Sequence, residues 1–252
     1  MDQKALYEKQ TGPAGVMPEN NDKSLVDRDK FVTDALTLAL TSSPQHVRVA
    51  ELSIGEGRLT RRMLQCCPDV QIDCFDISEN RISQVRDMLS SVPGLNASEA
   101  RFFECNFDTH FSFIESSCYD FVIALDVMEH VLDVFGFVEN CHRILANNGV
   151  LFLRVPNIAY IKHRLRLLRG KLPVTASWFG PPDELNAWHK QHGWDGGHLH
   201  LFTVPVLYSL LKRCGLQIEN CRDPGTRFEG LRDILPNLLY SNPLIVARKL
   251  DT

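Results

Sequence analysis

A short run near residue 50 contains residue types that are suited to ligand binding. Glu51 stands four residues before Gly55, and Gly57 follows. Because glycine has no Cβ, such a bend lets a ligand lie against the backbone while N–H groups of the next helix point at it. A tight turn between a strand and a helix would also select glycine, so this run alone leaves both interpretations open.

The next two predicted strands also end in polar residues. Asp76 follows the glycine bend by about 20 residues, where a carboxylate can accept both hydroxyls of a ribose. It could instead cap the next helix, although Ser78 is available for that. Asn106 and Phe107 follow the third strand, and an amide beside an aromatic ring suits the edge and face of an adenine. Taken alone, they favour a turn followed by a core phenylalanine.

A histidine-rich segment, with His189, His192, His198 and His200, supplies candidates for acid–base chemistry. Histidine is the usual base near neutral pH. Such a residue could equally be structural and hold this segment to the rest of the fold. The spacing of these histidines and Asp195 matches neither a helical HExxH pair nor a zinc knuckle, so we predict no metal site.

These residues depend on short apolar strands that alternate with helices. That alternation is typical of βαβ units and a buried parallel sheet, in which the carboxyl ends of the strands share one edge. The predicted strands are Val47–Ser53, Gln71–Asp76, Ala100–Phe107, Asp120–Leu125 and Gly149–Pro156. The predicted helices between them are Leu59–Cys67, Ser78–Leu89 and Phe135–Leu145, with a turn at Asn147–Gly149.

The rest of the chain surrounds this core. We predict a helical lead over residues 1–45, with a helix at Leu25–Leu40, and a cofactor-binding core over 46–156. An inserted cap follows over 157–200, and residues 201–252 form a helix and closing strands of the same domain. The cap contains the basic stretch Ile161–Leu172. Its charges form a solvated helix face or a docking surface for an anionic or carrier-bound acceptor.

Composition excludes several functional classes. The 252 residues are 44% apolar and 23% charged, as in a globular protein, and the net charge of −4 does not suit a duplex-binding protein. No apolar run approaches the ~20 residues of a membrane span. The eight cysteines form no CxxC pair and predict buried thiols, not disulfides. We therefore expect a cytoplasmic protein with a small-molecule partner and no nucleic-acid or membrane partner.

The motifs, taken in order, resemble those of class I S-adenosylmethionine-dependent methyltransferases. The series is Glu51…Gly55-Glu-Gly57, Asp76-Ile77-Ser78, Asn106, YDFVIALDVMEHV and HRILANNGVLFLRVPN, and the ending HLFTVPVLYSLLKRCGLQI…LIVARK is also similar. It most resembles the branch of ubiquinone-biosynthesis O-methyltransferases and natural-product methyltransferases. The resemblance implies a Rossmann-like, seven-stranded, mostly parallel sheet with an antiparallel last strand.

The resemblance also implies roles for individual residues, with S-adenosylmethionine as the cofactor and methylation of a small molecule, at oxygen, as the activity. His198 is the implied base, while His130 shapes the pocket. The implied cofactor-binding residues are Glu51, Ser53, Gly55, Gly57, Asp76, Ile77, Asn106, Phe107, Ala124 and Leu125. Ser53 stands where the family usually has glycine, and we expect the small serine to preserve the turn.

Two other functions compete with this interpretation. A catalytically silent, cofactor-binding subunit would fit the serine at position 53 and the absence of an unambiguous base. A nicotinamide-dependent oxidoreductase would be expected to contain G-x-G-x-x-G. After Gly55 and Gly57, Thr60 stands where that motif has its third glycine. The sequence therefore favours methyl transfer over hydride transfer.

Overall fold

The structure is a computed structural model, and it describes only part of the chain. The described residues are residue 4 and the ranges 23–42, 47–67, 69–173, 198–224 and 232–251. His189, His192 and Asp195, which the sequence singled out, lie outside these residues, as does most of the lead.

The described residues contain one seven-stranded sheet with the order β3-β2-β1-β4-β5-β7-β6. Strand β7 pairs antiparallel with both β5 and β6, and the remaining neighbours are parallel, which confirms the predicted architecture. The strands are β1 (Val47–Leu52), β2 (Val70–Asp76), β3 (Ala100–Glu104), β4 (Tyr119–Leu125), β5 (Leu145–Arg154), β6 (Leu216–Arg222) and β7 (Leu244–Lys249).

Helices cover both faces of this sheet. The described helices are α1 (Lys23–Ser42), α2 (Arg58–Cys66), α3 (Glu79–Ser90), α4 (Val134–Ile144), α5 (Ile161–Leu168), α6 (Val204–Arg213) and α7 (Pro236–Leu239). Helix α3 begins where the sequence predicts, because the Ser78 hydroxyl accepts a hydrogen bond from the Arg81 N–H at 3.2 Å. None of the described helices combines the length and the apolar character needed to cross a bilayer.

The sheet separates two apolar cores. On one face, helices α1, α2 and α3 contribute buried residues such as Leu36, Met63 and Ile82. On the other face, helices α4 and α6 contribute Phe137 and Leu207, among others. Because β1, β4 and β5 are covered on both faces, they read as nearly continuous apolar runs in the sequence. Because helices cover both faces of the sheet, polar side chains can meet a ligand at the carboxyl edge of the strands.

Two element boundaries differ from the sequence prediction by three residues or more. Strand β3 ends at Glu104, so Asn106 and Phe107 belong to the loop after it. Strand β5 begins at Leu145 and thus includes the predicted turn at 147–149. Its register with β4 jumps there from Tyr119↔Leu145 to Phe121↔Val150, and Asn148 has a φ of +61°. The predicted turn residues therefore form a bulge inside a strand.

The described part of the predicted cap contains the basic stretch as helix α5. Leu165, Leu168 and Leu172, which would share an apolar face, are 40%, 83% and 50% exposed among the described residues. The end of the cap returns to the sheet, because Ile158 donates its N–H to the Phe202 carbonyl at 2.9 Å. This contact places residues 198–202 beside the carboxyl end of β5.

Candidate functional site

A cavity of about 540 Å³ lies at the carboxyl ends of β1, β2 and β4. Its walls come from the bend after β1 and from the loops after the neighbouring strands. Most of the residues singled out from the sequence line it, namely Glu51, Ser53, Gly55, Asp76, Ile77, Asn106, Phe107, Leu125 and His130. Parallel strands bring their ends to one edge, and this explains how segments about 80 residues apart meet there.

The bend after β1 is held in an unusual backbone conformation. Ser53 and Gly55 have φ values of +67° and +54°, and the Ser53 N–H donates to the Phe75 carbonyl at 2.8 Å. Serine therefore occupies a left-handed position that glycine would adopt without strain. A Cβ added to Gly55 would meet nothing within 4 Å, so this backbone faces open space in which a ligand can lie.

Gly57 and Ala124, two of the predicted cofactor residues, do not line the cavity. Gly57 has a φ of +71°, and a Cβ there would lie 2.5 Å from Val85 Cγ1. The glycine thus allows helix α2 to begin against helix α3. Ala124 lies in the middle of the packed sheet and is fully buried. Its neighbour Leu125 is half-buried and reaches the cavity.

Two buried carboxyl groups meet at the cavity. Glu51 is 4% exposed, and its Oε2 accepts a hydrogen bond from the Thr60 hydroxyl at 2.7 Å. Burial raises the pKa of Glu51 to about 8, against the lowering effect of this hydrogen bond, and the nearby Asp29 raises it further. Cofactor-free protein at neutral pH therefore holds Glu51 mainly as the neutral acid.

Asp76 lies directly beside the glycine bend. Its carboxylate accepts hydrogen bonds from the backbone N–H groups of Ile54 and Gly55, and from Ser78 at 3.0 Å. Burial raises its pKa despite these bonds and the charge of Arg81. Because Ser78 caps the helix, Asp76 is not needed as the cap, and its carboxylate lines the cavity. The bend and the aspartate are thus adjacent, as the sequence argument required.

A network of ion pairs, which the sequence analysis did not identify, closes one side of the cavity. Arg28 of helix α1 contacts Asp126 with 3.0 Å between Nη1 and Oδ2, and Arg154 pairs with the same carboxylate. Arg58 approaches Asp29 Oδ2 at 2.7 Å. Arg28, Arg58 and Asp126 all line the cavity. Long-range pairs of this kind leave no periodic signal in the sequence.

The loop after β3 supplies the opposite wall. Asn106 is half-buried, and its Oδ1 accepts a hydrogen bond from the Asp108 N–H at 3.0 Å, as a turn residue would. Phe107 packs against Phe111 and Phe137 with ring centroids 5.0 and 5.6 Å apart. Both residues also line the cavity. The structural and the binding interpretations of this pair are therefore compatible.

The two histidines named as catalytic candidates lie side by side. A short 3₁₀ turn, Met128–His130, follows β4 and directs His130 to the cavity wall. The rings of His130 and His198 stand edge to face with centroids 4.9 Å apart. The Glu129 carbonyl accepts hydrogen bonds from the N–H groups of Leu199, at 2.8 Å, and His200, at 3.2 Å. These bonds hold the end of the predicted cap, with His198, against the turn.

Glu129 itself is a buried acid behind these histidines. It is 1% exposed, and its Oε2 has no hydrogen-bond partner among the described residues. Burial raises its pKa above the ordinary range, and the charge of Asp126 acts in the same direction. In the sequence, Glu129 stands out only as part of the run YDFVIALDVMEHV. Nothing in the local pattern indicates that its side chain turns inward.

Part of the chain around the cavity is similar to a known protein family. Residues 50–151, from β1 to β5, match the family described as "Methyltransferase domain". This segment of the chain is similar to methyltransferase domains. The matched range includes the glycine bend, Asp76, Asn106 and the Met128–His130 turn. Comparison with curated proteins found no match to this sequence.

Solved structures of methyltransferases share the fold of this chain at low sequence identity. CurJ carbon methyltransferase is 16% identical with a TM-score of 0.58 and covers 88% of this chain, which spans 54% of its length. A methyltransferase of Methanosarcina mazei is 20% identical (TM-score 0.58; coverage 82% of this chain and 95% of that one). The 1,6-didemethyltoxoflavin-N1-methyltransferase of Burkholderia thailandensis, bound to 1,6-didemethyltoxoflavin and S-adenosylhomocysteine, is 14% identical (TM-score 0.55; coverage 89% and 80%).

The cavity fits S-adenosylmethionine in its chemistry. The cofactor combines an amino acid, a sulfonium, a ribose and an adenine. Open space in front of Gly55 accepts a ligand against the backbone, and the buried carboxyls of Glu51 and Asp76 can each accept hydrogen bonds from it. Apolar and amide groups at Asn106 and Phe107 line the far wall. These features suit a cationic nucleoside.

Proposed function

We propose that this protein methylates a hydroxyl oxygen of a small molecule, with S-adenosylmethionine as the methyl donor. The observation that carries the choice of oxygen is the pair His130 and His198, whose ring centroids lie 4.9 Å apart, with His130 lining the cavity. A hydroxyl has a proton that must leave during methyl transfer, and an imidazole accepts it near neutral pH. Similarity of the motifs to ubiquinone-biosynthesis O-methyltransferases supports the same choice.

The cofactor-binding residues follow from the cavity wall. Glu51 and Arg28 would hold the amino acid end, since one can accept from an ammonium group and the other can pair with a carboxylate. Asp76 would accept the ribose hydroxyls, and Ile77, Asn106 and Phe107 would contact the adenine. When bound, S-adenosylmethionine supplies a methyl group whose bond to sulfur breaks, with the electron pair remaining on sulfur, as the acceptor oxygen bonds to carbon.

Besides binding the cofactor, the protein would position the acceptor and remove the proton from its hydroxyl. The cavity wall between Glu51 and His130 fixes the distance between the methyl donor and the acceptor side, and such alignment accounts for much of catalysis in displacement reactions. His198 is the proposed proton acceptor, and His130 is proposed to orient the hydroxyl from the wall. A carboxylate acceptor, the other oxygen class, would need no base, so the histidine pair favours a hydroxyl.

Fold similarity does not choose the acceptor atom. CurJ is described as a carbon methyltransferase and the Burkholderia thailandensis protein as an N1-methyltransferase, although both share this fold. The acceptor must therefore be argued from the site itself. The basic residues of helix α5, such as Lys162 and Arg166, support an acceptor that carries an anionic group.

The proposal is tested by measuring S-adenosylhomocysteine formation with matched panels of phenols, aliphatic alcohols, carboxylic acids and amines. We expect turnover with a hydroxyl acceptor. The variant His198→Ala should lower kcat by about 10²-fold or more at neutral pH, with cofactor affinity close to that of wild type. The rate of this variant should rise as the pH approaches the pKa of the acceptor hydroxyl, because the hydroxyl then ionises without a base.

The matched control is His200→Ala. His200 lies two positions from His198 and packs towards Phe202, with ring centroids 6.2 Å apart. We expect this variant to retain the activity. Turnover restricted to amines or carboxylates would contradict the proposal, as would equal rates for wild type and His198→Ala. A folded protein that binds the cofactor and transfers no methyl group to any acceptor would indicate a silent subunit.

A further inference from the structure

Three potential ligand atoms converge behind the cavity wall. Glu129, His130 and His198 each place a carboxylate oxygen or ring nitrogen within 4.8 Å of those of the other two. The residues come from two distant segments, and the hydrogen bonds from Leu199 and His200 to the Glu129 carbonyl keep the segments together. The spacing of histidines alone does not predict this group, because it depends on the contact between the 3₁₀ turn and residues 198–200.

The carboxylate of this group lacks the partner that its burial demands. Glu129 is 1% exposed, and Oε2 accepts no hydrogen bond from the described residues. A buried carboxylate oxygen without a partner is costly, since it has lost its water and gained nothing in return. The imidazoles of His130 and His198 lie close by, yet neither forms a hydrogen bond with Glu129 Oε2. A cation between the three groups would satisfy it.

We propose that Glu129, His130 and His198 bind a divalent transition-metal ion at the wall of the cavity. Two imidazoles and one carboxylate form a ligand set that suits zinc, cobalt or iron better than the all-oxygen sites of magnesium or calcium. Metal–ligand distances of about 2.0–2.2 Å would bring the ligand atoms to roughly 3.4 Å from one another. The site therefore needs to contract by little more than an ångström.

The proposed ion would have open coordination positions. Three protein ligands are typical of catalytic metal sites, which keep at least one position for water or substrate. His130 lines the cavity, so an open position can face the same space as the acceptor. A hydroxyl bound to such an ion loses its proton to water at a lower pH than a free hydroxyl does. In the loaded protein the histidines would then act as ligands, and the ion would replace the free base.

This role in catalysis rests on the proposed function, whereas metal binding does not. The binding test therefore uses chelator-treated full-length protein without donor or acceptor, and titrates it with Co²⁺, Zn²⁺ and Mg²⁺. We expect one Co²⁺ or Zn²⁺ per chain, and weaker binding of Mg²⁺. Glu129→Gln and His198→Ala should each weaken Co²⁺ binding at least about tenfold, because loss of outer partners alone has effects of that size. The control His200→Ala should bind like wild type.

A second measurement uses wild-type protein only, in case a variant does not fold. X-ray absorption of the Co²⁺-loaded chain should detect two imidazole ligands and oxygen ligands. A spectrum without imidazole, the absence of stoichiometric binding, or equal Co²⁺ affinity in wild type and both ligand variants would overturn the proposal. Metal binding without hydroxyl methylation would refute only the proposed function. Full methylation by chelator-treated protein that binds no ion would refute only the metal site.

Discussion

Replacing Glu51 by glutamine should change how stability depends on pH. Glu51 is buried at the cavity, and its folded-state pKa of about 8 exceeds its ordinary value of 4.5. The folded chain therefore binds this proton more tightly than the unfolded chain does. The stabilisation is complete below about pH 4.5, and is lost progressively as the pH rises from there towards 8.

The size of the effect follows from the two pKa values. A difference between 4.5 and about 8 corresponds to an upper limit of about 5 kcal/mol at pH values above 8. In Glu51→Gln the side chain is always neutral, and its amide oxygen can still accept the hydrogen bond from Thr60. Within the range tested, the variant should differ least from wild type near pH 5. It should then become progressively more stable than wild type, in the cofactor-free state, up to about pH 8.

Urea unfolding of cofactor-free protein between pH 5 and 9 measures this difference. Glu56→Gln is the matched control, since it removes an exposed carboxyl from the same bend. The control should follow wild type across the whole range. A stability difference between wild type and Glu51→Gln that stays constant with pH would refute the assignment of Glu51 as a buried, neutral acid.

The same proton should appear in cofactor binding. An ammonium group beside Glu51 favours the charged carboxylate, so binding below about pH 8 should release a proton. Titration calorimetry at pH 7 in two buffers of different ionisation enthalpy should detect about one proton with wild type. Glu51→Gln should show none. Equal proton release by both proteins would mean that another group loses the proton.

Three further substitutions test the packing of the site. Gly57→Ala should destabilise the fold by about 2–4 kcal/mol in urea unfolding, because the added Cβ would lie 2.5 Å from Val85 Cγ1 at a φ of +71°. Gly55→Ala should cost only about 1–2 kcal/mol, since its Cβ meets open space, but should weaken cofactor binding in calorimetry. Tyr119→Phe should lower the free energy of unfolding by about 1–3 kcal/mol in the same assay, because the Tyr119 hydroxyl donates to the buried Asp73 Oδ2 at 2.7 Å. For each of the three variants, unchanged stability would contradict the contact described for that residue.

The parallel sheet and the adjacency of the bend to Asp76 could be predicted from the sequence. Apolar runs separated by helical periodicity predict parallel strands, and parallel strands place Glu51, Gly55 and Asp76 at one edge. These relations need only local patterns and the rules of handedness. The family resemblance, and not position alone, implies Asn106 and Phe107 as cofactor-binding residues; both line the cavity from the loop after β3.

The remaining parts of the site depend on contacts between distant segments. Arg28 reaches Asp126 across 98 positions, and no local pattern of helix α1 indicates which of its charges faces the cavity. His198 was named from family resemblance, and its contact with His130 follows from hydrogen bonds to the Glu129 carbonyl. The bulge in β5 was mistaken for a turn between elements, because Asn and Gly favour both.

The pairing of Arg28 with Asp126, and of Asp126 with Arg154, has a consequence for biosynthesis. Helix α1 is synthesised before the sheet, but Arg28 can pair with Asp126 only after β4 has emerged from the ribosome. Asp126 can pair with Arg154 only after β5 has also emerged. Nascent chains shorter than that would present the glycine bend with one flank missing. The ability to retain the methyl donor should therefore arise late during translation, after most of the sheet has been made.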